Sequence, residues 1–214
     1  MIKVSPSIIS CQLENLGKEI SACDEADVFS YHLDVMDGHF VPNLTMGPEL
    51  VKAIRRSTDK PLEAHLMIER PDRYYKNFID AGSDILLIHQ ECLVDFRKLI
   101  SDIKSEGAGF GIVLNPDTPF SKAEKYLEDS DILLIMTVHP GFSGQKFIEY
   151  VVPKIEEARK YIDEQGLKTK IELDGGVTDI TGRKVIDAGA DILVSGSYIF
   201  SGNIGERIKT LQNL

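Results

Sequence analysis

The chain has 214 residues, 43% hydrophobic and 27% charged, a balance that supports a packed core and excludes a disordered polymer. Its formal net charge of −10 disfavours nucleic acid and anionic membrane surfaces as partners, and any anionic ligand must be held by local backbone donors. The segment 1–10 lacks the basic and long apolar regions of a leader, no run approaches the roughly 20 apolar residues of a membrane span, and Cys11, Cys23 and Cys92 share no CxxC spacing, so a cytoplasmic chain with free thiols is expected.

Short β-branched runs alternate with segments of helical period from end to end. Strands are expected over 3–8, 29–36, 62–68 and 84–90, then over 110–114, 131–138, 170–173 and 191–196. Between them, 48–57, 71–81, 95–106 and 150–165 place apolar residues at helical spacing. Pro48 and Pro71 fall in first helical turns, where the missing N–H costs nothing, and Gly82, Gly107, Gly166 and Gly189 stand where helices end. Strict alternation implies parallel strands joined by right-handed crossovers. Eight such units imply one α/β domain over 1–214, a single (β/α)8 TIM barrel rather than an open sheet. The run DAGSDILL at 80–87 returns as DAGADILV at 187–194, before the fourth and eighth strands, as two half-barrels require.

Barrels of this kind carry their chemistry at the C-terminal ends of the strands. Strand alternation gives His32, Asp34 and Met36 one face, His65 and Met67 another, and Glu172 and Asp174 a third, all at one mouth. Burying such charges uncompensated is costly, and a divalent cation relieves the cost. His32, Asp34, His65 and Asp174 form an N2O2 set suited to zinc, with iron, manganese or cobalt as substitutes. His39, after the Asp37-Gly38 turn, and His89, with no evident partner, are read as structural; His139 lies at the sixth strand's mouth without a paired carboxylate. Glycine-rich turns follow the last three strands: Gly141, Phe142, Ser143 and Gly144, then Gly175 and Gly176, then Gly196 and Ser197. Consecutive exposed amides there form an anion cradle fit for a phosphate group.

SPSIIS at 5–10, HLDVMDGHFVPN at 32–43, HLM at 65–67, MTVHPGFSGQKF at 136–147, ELDGGV at 172–177 and SGS at 195–197 together span nearly the whole chain. In this order they make the sequence resemble the ribulose-phosphate 3-epimerase family. The resemblance implies a ribulose-phosphate-binding barrel that interconverts D-ribulose 5-phosphate and D-xylulose 5-phosphate in the pentose phosphate pathway. It implies one divalent metal per subunit, usually zinc, on His32, Asp34, His65 and Asp174, with Asp34 and Asp174 as the acid–base pair. It further implies substrate contacts from Ser7 and His65, a phosphate end held by 141–144, Gly175, Gly176, Gly196 and Ser197, and a wall of Met36, Met67 and Met136. A homo-oligomer, dimer or hexamer, is implied as well. Two positions depart from the family pattern: Ser143 replaces the usual glycine, and His139 replaces asparagine or an acid, both on the loop expected to cover the substrate.

Three rival readings share parts of this pattern. A D-allulose 6-phosphate 3-epimerase has the same HxD and DGHFVPN elements, although 196–200 and 46–48 favour the pentulose enzyme. A carbon–carbon lyase on a related barrel also holds phosphate after strands seven and eight, but does not explain the paired histidines and aspartates. A non-catalytic sugar-phosphate-binding barrel is expected to have lost one of the four ligand positions, and all four are filled.

Overall fold

Runs apolar on both faces must be covered on both sides, which favours a parallel sheet wrapped by helices. The computed structural model describes residues 2–214 and shows eight strands: β1 (Lys3–Pro6), β2 (Tyr31–Met36), β3 (Leu62–Met67), β4 (Ile85–His89), β5 (Gly109–Leu114), β6 (Ile132–Met136), β7 (Lys170–Asp174) and β8 (Ile192–Ser195). They pair in parallel in the order β1-β8-β7-β6-β5-β4-β3-β2. The seam between β1 and β2 is drawn together by the Phe29 N–H donating to the Val4 carbonyl at 3.0 Å, and by a parallel bridge between Ser7 and His32. The sheet is thereby curled into a barrel.

The outer layer holds α1 (Leu16–Glu25), α2 (Pro48–Arg55), α3 (Pro71–Asp80), α4 (Phe96–Ser105), α5 (Val152–Gln165), α6 (Asp179–Asp187), α7 (Ser197–Phe200) and α8 (Ile204–Gln212). No helix among the described residues is long and apolar enough to cross a membrane. Alternation is not strict. Between β5 and β6 the chain makes two 3-10 segments, Phe120–Lys122 and Glu124–Asp129, in place of an α-helix. Pro116 and Pro119 remove two backbone donors there, while Phe120 and Leu127 still cover the barrel wall. β1 also stops at Pro6, earlier than expected, because Ile8–Ser10 turns as a 3-10 segment.

The internal echo corresponds to one repeated device. Gly82 and Gly189 have φ of 105° and 112°, and a Cβ there would lie 2.7 Å and 2.5 Å from the Cγ of Arg55 and Arg159. Those arginines bind Asp84 at 3.0 Å and Asp191 at 3.2 Å. Each aspartate in turn accepts a strand amide, from Leu62 at 2.8 Å and Ile171 at 2.9 Å.

The barrel interior is divided by chemistry. Leu87, Val113, Ile132, Leu134, Met136, Val138 and Ile192 fill the side formed by β4, β5, β6 and β8. Gly111 admits Leu87, since a Cβ there would lie 2.4 Å from Leu87 Cδ2. The side formed by β1, β2, β3 and β7 holds buried Ser5, His32, Glu63, His65 and Glu172. A polar half-core of this kind is stable only if its groups satisfy one another or a bound ion.

Candidate active site

The β2–β3 register sets Asp34 opposite His65 and His32 opposite Glu63, and alternation turns all four inward. Asp174 ends β7, across the β1–β8 edge of the mouth. His32 Nε2 lies 3.1 Å from His65 Nδ1, His65 Nδ1 lies 3.1 Å from Asp34 Oδ1, and His32 Nε2 lies 3.5 Å from Asp34 Oδ1. Asp174 Oδ2 completes the group at 3.8 Å from His32 Nε2 and 3.9 Å from His65 Nδ1. A tetrahedral ion with bonds of about 2.0–2.2 Å has ligand–ligand edges of about 3.3–3.6 Å, so this spacing suits a small divalent cation. Calcium, which takes six to eight oxygens, does not fit a set with two imidazoles.

Burial alone would raise the Asp34 carboxyl, but His32 and His65 beside it hold it well below its ordinary value. Asp174 is pushed up to about 7 by burial and by repulsion from Asp34, against the pull of His32. Burial drives His65 down to about 3. Burial also opposes charge on His32, yet Asp34, Glu172 and Glu63 hold it well above its ordinary value. The surroundings therefore push the two carboxyls in opposite directions, Asp34 toward the ionised form and Asp174 toward the protonated one. His65 Nδ1 and Asp34 Oδ1 both face His32 Nε2, a spacing that a proton on that nitrogen or a divalent cation at their meeting point would satisfy.

A cavity partly open to solvent lies over this cluster, with Ser7, Asp34 and Asp174 in its lining. His32 and His65 lie beneath it, fully buried. The Ser7 hydroxyl donates to Asp34 Oδ2 at 2.5 Å. Met36, Met67 and Met136 supply the apolar wall. Gly141, Phe142, Ser143 and Gly144 line it from the loop after β6, Gly175 and Gly176 from the turn after β7, and Gly196 and Ser197 from the turn after β8. No lysine or arginine lines it among the described residues. The amides of Gly176, Gly196 and Ser197 find no backbone acceptor among the described residues, which leaves them as donors for an anion.

The covering loop is tied down at its base. Asn43 Nδ2 donates to the Gly141 carbonyl at 2.7 Å, and Gln145 Nε2 donates to the carbonyls of His139 at 2.6 Å and Phe142 at 3.0 Å. Ser143 lines the cavity, whereas the exposed His139 ring stands 3.9 Å from Asp117 and does not line it.

Three polar residues behind the cluster have partners that the sequence did not reveal. Glu63 is fully buried and accepts from Ser5 Oγ at 3.2 Å. Near it, Glu172 Oε1 lies 3.2 Å from His32 Nδ1. Burial and Glu63 push Glu172 up to about 8, against the pull of His32. His89, expected to be without a partner, has its Nε2 2.8 Å from His65 Nε2 and its Nδ1 3.2 Å from Glu91 Oε2. The signal was present: His89-Gln-Glu91 repeats the spacing of His32-Leu-Asp34, and Glu63 stands two residues before His65.

Residues 3–200 match the model of the ribulose-phosphate 3 epimerase family. The ribulose-phosphate 3-epimerase of Bacillus subtilis is 50% identical over 201 residues, covering 94% of this chain and 93% of that protein. The chloroplastic ribulose-5-phosphate-3-epimerase of Arabidopsis thaliana is 47% identical over 214 residues, covering 99% of this chain and 76% of that protein. Among solved structures, the 3-hexulose-6-phosphate synthase of Salmonella typhimurium superposes with a TM-score of 0.74 over 99% of this chain and 97% of that one. At 18% identity that likeness shows a shared fold alone.

Proposed function

The chain belongs to the ribulose-phosphate 3-epimerase family, and from that membership we propose that it interconverts D-ribulose 5-phosphate and D-xylulose 5-phosphate by proton transfer between two aspartates. Inverting C3 of a 2-keto sugar requires removing a proton from one face and returning one to the other. That proton is acidic only because the adjacent carbonyl takes up the charge as an enediolate. Ionised Asp34 removes it, and protonated Asp174 supplies its replacement from the opposite side of the mouth; in the reverse direction the roles exchange. Ser7 holds Asp34 Oδ2 while Oδ1 faces the histidines, so the base is fixed at both oxygens. A divalent cation on His32, Asp34, His65 and Asp174, zinc first and iron, manganese or cobalt otherwise, supplies Lewis-acid stabilisation of the charge that builds on the substrate oxygens. The amides of Gly176, Gly196 and Ser197 take the phosphate end, which reconciles an anionic substrate with a net charge of −10.

The observation that carries this reading is the meeting of Asp34 and Asp174 with His32 and His65 in one cluster at the barrel mouth. Asp174→Asn removes the acid and is expected to abolish deuterium incorporation at C3 in heavy water while circular dichroism stays that of the wild type. Full exchange in that folded variant contradicts the assignment. Turnover on allulose 6-phosphate above that on ribulose 5-phosphate contradicts the substrate.

A further inference from the structure

The buried His89 ring belongs to no step of the reaction, yet it lies directly behind a residue of the cluster. It stacks on His65 with centroids 4.9 Å apart and planes at 22°, and Phe40 covers it at 4.7 Å. With His65 Nε2 and His89 Nε2 only 2.8 Å apart, one of these nitrogens must carry a hydrogen and the other a lone pair. Glu91 decides which. Its Oε1 accepts the Asn115 N–H at 3.0 Å and the Thr118 hydroxyl, and its Oε2 faces His89 Nδ1 at 3.2 Å. A carboxylate only accepts, so His89 Nδ1 must be the protonated nitrogen. His89 Nε2 is then an acceptor, His65 Nε2 must donate to it, and His65 Nδ1 is left bare. Nδ1 is the atom that faces Asp34 and His32: without a cation it accepts from the Nε2–H of protonated His32 at 3.1 Å, and its 3.1 Å contact with Asp34 Oδ1 sets two acceptors together, which a cation between them relieves.

We propose that Glu91 and His89 are positioning residues that lock His65 in its Nε2–H tautomer and so present the Nδ1 lone pair to the cation. The proposal rests on the metal reading given above. It assigns a role to two residues on β4 and the following turn that touch neither substrate nor cation. Partners of this kind behind a metal ligand fix ring orientation and tautomer, and their loss costs about 10–100-fold in metal affinity.

The test is the isosteric Glu91→Gln. The carbonyl oxygen of the new side-chain amide must stay with the two donors, Asn115 N–H and Thr118, which turns its NH2 toward His89 Nδ1. Every donor and acceptor along the relay then reverses, and His65 becomes the Nδ1–H tautomer. Zinc titrated calorimetrically into metal-free protein is expected to bind E91Q about 10–100-fold more weakly than wild type. Nitrogen-15 spectra of the metal-free proteins should show His65 protonated at Nε2 in the wild type and at Nδ1 in E91Q. In His89→Gln the side-chain oxygen takes the place of Nε2, so zinc affinity should stay within about tenfold of wild type and become insensitive to E91Q. Wild-type zinc affinity in E91Q, with His65 still protonated at Nε2, overturns the relay. A wild-type protein that binds no zinc overturns the metal reading instead; the tautomer still decides the relay, and Nδ1–H in the wild type overturns it.

Discussion

Replacing Gly176 with alanine sets the turn after β7 against the loop after β6. Gly176 has φ of 62°, and an L side chain in that left-handed region costs about 1–2 kcal/mol. The new Cβ would lie 2.7 Å from Phe147 N and 3.0 Å from the Gln145 carbonyl oxygen. Both are backbone atoms, so no rotamer relieves the clash and the 145–147 segment must move. That movement threatens the Ile148 N–H to Thr137 carbonyl bond, now 2.8 Å, worth about 1 kcal/mol. The sum is about 2–3 kcal/mol, which lowers the Tm of a chain this size by about 5–10 °C. The displaced amide also loses its phosphate, and a hydrogen bond to a charged group is worth about 1.5–3 kcal/mol. KM should therefore rise about tenfold or more, with kcat changing less, because the phosphate is held alike in ground and transition states. Calorimetry and steady-state kinetics on ribulose 5-phosphate read both effects. A G176A protein whose Tm lies within about 2 °C of wild type and whose KM is unchanged refutes the packing and the phosphate assignment together.

Two further outcomes follow from the buried charges. Burial alone would raise the Glu91 carboxyl, but its bonds from His89, Thr118 and Asn115 bring it down to about 2 from an ordinary 4.5. A carboxyl lowered by folding contributes stability that is full above the unfolded value and is lost as pH falls through the folded one. Wild type should thus lose its Tm advantage over E91Q as pH drops from about 4.5 toward about 2, and an advantage unchanged across that window counts against the ionised carboxylate. Zinc at about a thousand times its Kd should stabilise the metal-free protein by about 4 kcal/mol, roughly 10 °C in Tm. Asp174→Asn should blunt that rise, and an equal rise in the variant means that zinc binds elsewhere.

Much of this architecture is visible in the chain because period-2 strands and period-3.6 helices leave different marks. The exception between β5 and β6 was not marked, since Pro116 and Pro119 precede the 3-10 segments and a proline at a helix start is equally compatible with an α-helix. His32, Asp34, His65 and Asp174 were legible because each sits at an inward position of its strand. Glu63 and His89 also face inward from β3 and β4, and Glu91 follows in the turn after β4, but nothing local to them names a partner. His89 finds His65 across the β3–β4 edge, a pairing that depends on register. The hydrogen bond from Ser7 to Asp34 needs the barrel closed at its seam, which no local pattern encodes. The opposite push on the Asp34 and Asp174 carboxyls is a property of distances, and arises only once three strands meet.

The most direct measurement is anomalous diffraction at the zinc edge from crystals grown with zinc. One peak is expected at about 2.0–2.2 Å from His32 Nε2, His65 Nδ1, Asp34 Oδ1 and Asp174 Oδ2. A peak elsewhere, or the four side chains turned apart around water, contradicts the metal centre and the proton-transfer pair built on it.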